Sequence, residues 1–382
     1  MFGALNAFMT ITPAAELYEL WSWGRNESGQ LGLNNTTTTS SPVQVGTTRY
    51  WTNVYMCSFG SGGDGMTFAR KTNGTLWSWG RNNYGYLGHN DTISRSSPTQ
   101  IGSLGNWSSK FSPGGFATLA IKIDGTLWSW GSNTNYGLCG LGDTIARSSP
   151  VQVGTLTTWA TVAAPTSWAA AAIKTDGTLW TWGGNNFGTL GQAIPMQSSP
   201  VQVGSLTNWS QVTTIGAAML AIKTNGTLWS WGGNFYGVLG QEDTIHRSSP
   251  VQIGSLTTWA SLMRPQSTTN VIAVQTNGTL WTWGSNQTGY PATGAGQLGL
   301  GDTVNRSSPV QVGTLTTWTS VTAGLHAAGA IKSPGALWTF GLGTYGTLGQ
   351  NSTISRSSPV QVGTATNWQT ISMGESGMAL RG

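Results

Sequence analysis

The chain has 382 residues and a net charge of +5, with only 8% charged residues against roughly 25% in ordinary globular proteins. Its 17 basic residues are spread along the whole length, which excludes the concentrated patch expected of a specific nucleic-acid binder. The 55 glycines would suit a disordered chain, but 21 tryptophans supply apolar surface that such chains lack.

In chain order, residues 1–16 are set apart as an N-terminal arm and residues 17–382 as one domain. Met1 to Pro13 is apolar and has no basic lead, so it reads as a frayed or docked tail, or as an arm anchoring the protein in a larger assembly. No stretch reaches the length of a membrane span. Leu20-Trp21-Ser22-Trp23-Gly24 then opens a phrase that returns six times, at Leu76–Gly80, Leu127–Gly131, Leu179–Gly183, Leu228–Gly232, Leu280–Gly284 and Leu337–Gly341. In the last copy Phe340 replaces the second tryptophan. A repeat of this length marks a supersecondary unit that cannot bury its apolar face alone.

One unit, Trp209 to Gly254, predicts four strands. Trp209–Val212 alternates, and Ala217–Lys223 is largely apolar. Asn225-Gly226 is a two-residue hairpin turn, followed by a third strand over Thr227–Trp231. A glycine-punctuated loop, Gly232–Gly240, leads to a short fourth strand over Ser248–Gly254. Its Pro250 suits a sheet edge. Equivalent turns stand at Asn73-Gly74, Asp124-Gly125, Asp176-Gly177 and Asn277-Gly278. First-strand tryptophans recur at Trp51, Trp107, Trp159, Trp259, Trp318 and Trp368. The sequence therefore predicts an all-β, seven-bladed β-propeller of four-stranded antiparallel blades. The chain enters at a third strand, Leu20, and ends on a second strand, Met378–Arg381. A split blade shared between the N- and C-termini would close the ring and remove its free edges.

The phrases Ala-Ile-Lys-x-Asn-Gly-Thr-Leu-Trp-Ser-Trp-Gly and Gly29-Gln30-Leu31-Gly32, the latter repeated at Gly296–Gly299, resemble the regulator of chromosome condensation repeat. The resemblance covers about residues 17–382 and implies a seven-bladed propeller. It also implies a choice among nucleotide exchange on a small GTPase, chromatin binding and scaffolding. Exchange would need a protruding wedge, and the only insertion is Thr288 to Ala295. The near-identity of the repeats resembles the very regular members of bacteria and bacterial viruses.

Candidate sites are few. Arg95, Arg147, Arg247, Arg306 and Arg356 occupy equivalent positions that could form a guanidinium ring. Four of them follow Asp91, Asp143, Asp243 and Asp302 by four residues, which predicts local ion pairs instead. Lys71, Lys122, Lys174, Lys223, Lys332 and Arg381 read as solvated strand ends. His89, His246 and His326 read as hydrogen-bonded structural residues. Cys57 and Cys139 form no framework. The loop aromatics Tyr84, Tyr136, Phe187, Phe235, Tyr236 and Tyr345 read as lids over the grooves between blades, or as a stacking surface for a sugar or protein.

The first-to-second strand loops differ in every repeat, whereas the frame is nearly copied. A rigid frame with variable loops is how binding sites are commonly built. The expected binding patch is Trp168, Arg264, His326, Met263 and Glu375, with Trp168 the one tryptophan outside the repeated positions. No catalytic constellation, cofactor motif or metal spacing appears. The reading is a non-enzymatic binding or structural module for a protein or glycan partner, in a virion or extracellular surface setting. The alternative is an exchange-factor-like regulator of a small nucleotide-binding protein.

Overall fold

The computed structural model describes residues 17–59, 64–263, 269–287 and 295–382. They form seven antiparallel sheets of four strands each, which is the expected propeller. The N-terminal arm lies outside the described residues.

In blade five the strands are Trp209–Ile215, Ala218–Lys223, Leu228–Gly232 and Arg247–Gln252. The hairpin between the second and third strands follows from its turn residues. Gly226 has φ +76°, and a Cβ there would lie 2.1 Å from the Thr257 carbonyl oxygen. The Asn225 side-chain oxygen accepts from the Thr227 N–H at 3.2 Å and from its hydroxyl at 2.7 Å. That hydroxyl accepts from the Trp229 indole at 2.9 Å. Asp124 and Asp176 hold Thr126 and Thr178 in the same way. Pro250 sits in the edge strand, where its missing N–H leaves no ladder bond unmade.

First strands of neighbouring blades pack on one another and form the inner wall of the ring. Hydroxyls stitch them together across the blade boundaries. Ser372 Oγ accepts from the Met56 N–H at 2.8 Å, and the Thr214 hydroxyl donates to the Ala164 carbonyl at 2.6 Å.

The tryptophans divide into three roles. Trp209 stands edge-on to Trp229, with centroids 6.0 Å apart, and is tilted against Trp231 at 6.2 Å. Trp231 is fully buried. It crosses to the preceding blade, where its indole donates to the Thr189 carbonyl at 3.0 Å. Trp23, Trp79, Trp130, Trp182 and Trp283 donate to their own neighbouring loops at 2.9 Å. Each loop passes over the indole on a glycine. At Gly191, φ is +74° and a Cβ would lie 2.9 Å from Trp231 Nε1.

The ring closes as the termini predict. Glu19–Gly24 pairs antiparallel with Ser376–Arg381, with Leu20 opposite Leu380 and Trp23 opposite Gly377. Trp368–Met373 and Thr39–Gln44 complete this clasp blade.

The lysines differ from expectation. They are not solvated strand ends but lie over tryptophan rings. Lys223 Nζ is 3.6 Å from the Trp229 centroid and 4.7 Å from that of Trp209. Lys71, Lys122 and Lys174 repeat the arrangement, and Arg381 covers Trp21 and Trp368. The second strand delivers its last side chain onto the indoles that its neighbours place there, so stem and charge are both used. The arginines meet the local expectation: Arg95–Asp91 is 2.7 Å, Arg147–Asp143 and Arg247–Asp243 are 2.6 Å, and Arg306–Asp302 is 2.5 Å.

Three outcomes follow. Deleting residues 368–382 strips half of the clasp blade and exposes sheet edges. The truncated protein should melt lower and associate, as read by calorimetry and light scattering; an unchanged monomer would refute closure by the clasp. Trp231→Ala should cost about 3–5 kcal/mol in denaturant unfolding, whereas Arg247→Ala should cost under about 1 kcal/mol. The third outcome concerns acid. The Arg95 hydrogen bond lowers the Asp91 carboxyl to about 2. A depressed folded value gives stability that is present above the unfolded value, near about 3.9, and is lost as pH falls toward the folded one. The thermal midpoint should therefore drop between about pH 4 and about pH 2, and Asp91→Asn should flatten part of that slope.

Candidate functional site

Antiparallel alternation decides which loops share a face. First-to-second and third-to-fourth strand loops emerge at one end of the ring. The Asn-Gly turns and the links between blades emerge at the other. The variable loops and the glycine loops, with all their aromatics, therefore make one surface.

On blades three to five these loops bring rings into a continuous arc. Tyr136 lies 5.1 Å from Trp168, and Trp168 lies 5.7 Å from Phe187. Phe187 then meets Phe235 at 5.1 Å and His246 at 5.3 Å. The rings are half-buried or exposed, with Phe235 43% and Tyr236 54% accessible. Most of the loop aromatics face solvent, Tyr86 being buried, and the pairs Tyr136–Trp168 and Phe187–Phe235 bridge neighbouring blades, as lids over the grooves between blades would. Tyr236 and Tyr345 are held at φ 59° and 58°, a left-handed conformation that side chains other than Gly and Asn seldom adopt.

A recess of about 240 Å³ lies where blade seven meets the clasp blade. Arg25 occupies it. Its guanidinium is bidentate to Glu27 at 3.0 and 2.9 Å, reaches Glu375 at 3.0 Å and lies 4.4 Å from the Tyr345 centroid. The Glu27 hydrogen bond raises the Arg25 pKa further, and the same bond lowers that of Glu27. His326 lines the same recess. Burial lowers its pKa, and its Nδ1 is buried without a hydrogen-bond partner. It therefore departs from the expected hydrogen-bonded histidine. His89 meets that expectation through Ser78 Oγ at 2.9 Å, and His246 Nδ1 accepts from the Asn234 N–H at 2.8 Å.

The five expected patch residues thus separate. Trp168 joins the arc, and His326 and Glu375 share the recess at the clasp. Met263 is only 1% exposed and belongs to the buried core with Ile215, Val271 and Ile272, so it is a core residue and no surface anchor. Arg264 lies outside the described residues. Sequence reasoning passed over Arg25, and over the fact that the glycine-loop aromatics share the variable face. Strand parity carried the second signal, since two further reversals return the chain to the same end.

Charge is unequal around this face. The residue after each Trp-x-Trp-Gly phrase or its variant is Arg25 on the clasp blade and Arg81 on blade two. On blades three to seven it is Ser132, Gly184, Gly233, Ser285 and Leu342. Among the described residues no cluster of three potential metal ligands occurs, and no helix is long and apolar enough to cross a membrane.

Comparison with known proteins bears on this arrangement. Human E3 ubiquitin-protein ligase HERC2 is 29% identical over 177 residues, covering 45% of this chain and 4% of that protein. The ultraviolet-B receptor UVR8 of Arabidopsis thaliana is 30% identical over 175 residues, covering 45% of this chain and 39% of that protein. The chain thus spans well under half the length of either relative. Among solved structures, Prp20p of Saccharomyces cerevisiae superposes with a TM-score of 0.81 at 17% identity, covering 96% of this chain and 92% of that one. Human WBSCR16 gives 0.78 at 18%, covering 95% and 98%. These relatives are eukaryotic and do not extend the resemblance to bacterial or bacteriophage members. The Regulator of chromosome condensation (RCC1) repeat matches residues 19–65, 73–121, 124–169, 176–217, 225–262, 277–331 and 334–380, and the chain belongs to that family.

Proposed function

We propose that the protein is a non-enzymatic docking module, a rigid propeller that holds a protein or glycan partner on its loop face. The observation that carries this reading is the arc from Tyr136 through Trp168 and Phe187 to Phe235, built by three consecutive blades, with Phe235 exposed and the other three rings half-buried. Exposed aromatics on a stiff base keep the ordering cost of binding low and are favoured anchors. The left-handed tyrosines support the same face, because strain of this kind gathers where a loop is shaped for use.

The second reading is regulation of a small nucleotide-binding protein. Its support is the shared fold with Prp20p, whose structure is described with its binding to Gsp1p and histones. An exchange factor must reach the nucleotide site of its partner, and the loop face would supply that contact too. A virion or extracellular surface setting rests on the low charge and polar composition; the eukaryotic relatives give it no support.

Proximity labelling in the native host tests the face. Trp168→Ala with Phe235→Ala, confirmed folded by near-UV circular dichroism, should lose the neighbours that the wild type labels. Leu206→Ser with Leu256→Ser, on the opposite face, should retain them. The reverse pattern would place docking on the wrong side. A labelled small nucleotide-binding protein whose bound nucleotide is released faster in the presence of this chain would establish the second reading.

A further inference from the structure

Between blades three and four the loop face holds a recess of about 330 Å³. Its walls are Phe116, Tyr136 and Trp168, and Leu138 lies among them, 2% exposed. The walls are set by backbone geometry. Trp168 is fixed through its carbonyl, which accepts from the Gly184 N–H at 2.7 Å. Gly184 also makes room for the neighbouring ring, since a Cβ there would lie 2.9 Å from Tyr136 Cδ1. The size falls within the range of roughly 300–1,000 Å³ typical of small-ligand sites.

The polar lining is entirely neutral: Ser132, Thr134, Asn135 and Ser167. Ser132 and Thr134 share one long contact of 3.4 Å. Among the described residues, the Asn135 amide and the Ser167 hydroxyl have no side-chain hydrogen-bond partner. Asn135 is held at φ +75° on the exposed lip. Aromatic walls next to unused hydroxyl and amide groups match a ligand with apolar C–H faces and a periphery of neutral hydroxyls. Acidic or basic ligands gain nothing here, because no charged side chain lines the recess.

From this we infer that the recess is a binding site for a neutral carbohydrate unit, stacked against Trp168 and Tyr136 and hydrogen-bonded by Asn135 and Ser167. This rests on the docking-face reading and names one partner chemistry for it. Phe187 and Phe235 extend the aromatic track onto blade five, so an oligosaccharide of several units would cover more of the arc than a single sugar.

The test uses the full chain with maltotetraose, cellotetraose and chitotetraose at millimolar concentration, followed by saturation-transfer NMR and isothermal titration. At least one should bind saturably. Trp168→Ala should weaken that binding by about tenfold or more, and Trp168→Phe, which keeps an aromatic wall, should retain most of it. Asn135→Ala should weaken it while leaving near-UV circular dichroism unchanged. No binding by any of the three sugars, or binding that Trp168→Ala leaves intact, overturns the assignment. A proline-rich decapeptide that binds in a Trp168-dependent way where all three sugars fail also overturns it. If the sugars fail while the Trp168 and Phe235 variants still lose their labelled neighbours, the docking face stands and only the carbohydrate assignment falls.

Discussion

The ring depends on one contact: in six of the seven blades a buried indole reaches across to a backbone carbonyl in the glycine loop of the blade before it. Burial of the ring gives the apolar contribution. The N–H then satisfies a carbonyl that the loop could not pair within itself, so a wet gap between blades becomes a dry and directional joint. The glycine above each indole is required by the same contact, because any side chain there would occupy the space of the ring. Tryptophan at one point of the repeat and glycine about forty residues earlier are a single structural decision.

That decision leaves little freedom in the frame. The strands, the Asx-type turns of blades two to six and the cations over tryptophan recur around the ring, with Gln275 on blade six and Ser333-Pro334-Gly335 on blade seven as departures, so the hairpin face varies little. Most of the asymmetry enters at the other end, through the variable and glycine loops. There, charge collects on the clasp blade as Arg25, Glu27 and Glu375, and aromatic rings collect on blades three to five. A stiff frame with one specialised face can present an aromatic track without rearranging to bind.

Most of the fold was legible in the sequence, because a repeated pattern states its own period and each turn carries its own residues. The clasp was legible for the same reason, since an incomplete unit at each end adds up to one blade. The site was less legible. Met263 stands in a variable loop but is drawn into the buried core, and loop variability alone does not report burial. The lysines look like solvated ends until the rings beneath them are placed, because the two indoles come from strands on either side of the one that bears the lysine. Arg25 carried only a local signal, Glu27 two residues on: its second partner, Glu375, lies at the far end of the chain and meets it only through ring closure.

Blade seven shows which part of the joint is indispensable. Phe340 stands where the other six blades place an indole, and it is fully buried. The glycine opposite it is kept, since a Cβ on Gly299 would lie 2.8 Å from the Phe340 ring. Volume and close approach are therefore preserved while the donor is lost. A net hydrogen bond contributes about 1 kcal/mol, whereas an unfilled aromatic cavity costs about 3–5 kcal/mol. The ring can omit one of the smaller contributions but none of the larger, so packing of the aromatic against glycine, more than the indole hydrogen bond, sets the spacing of the blades and with it the placement of the loops at either end of the ring.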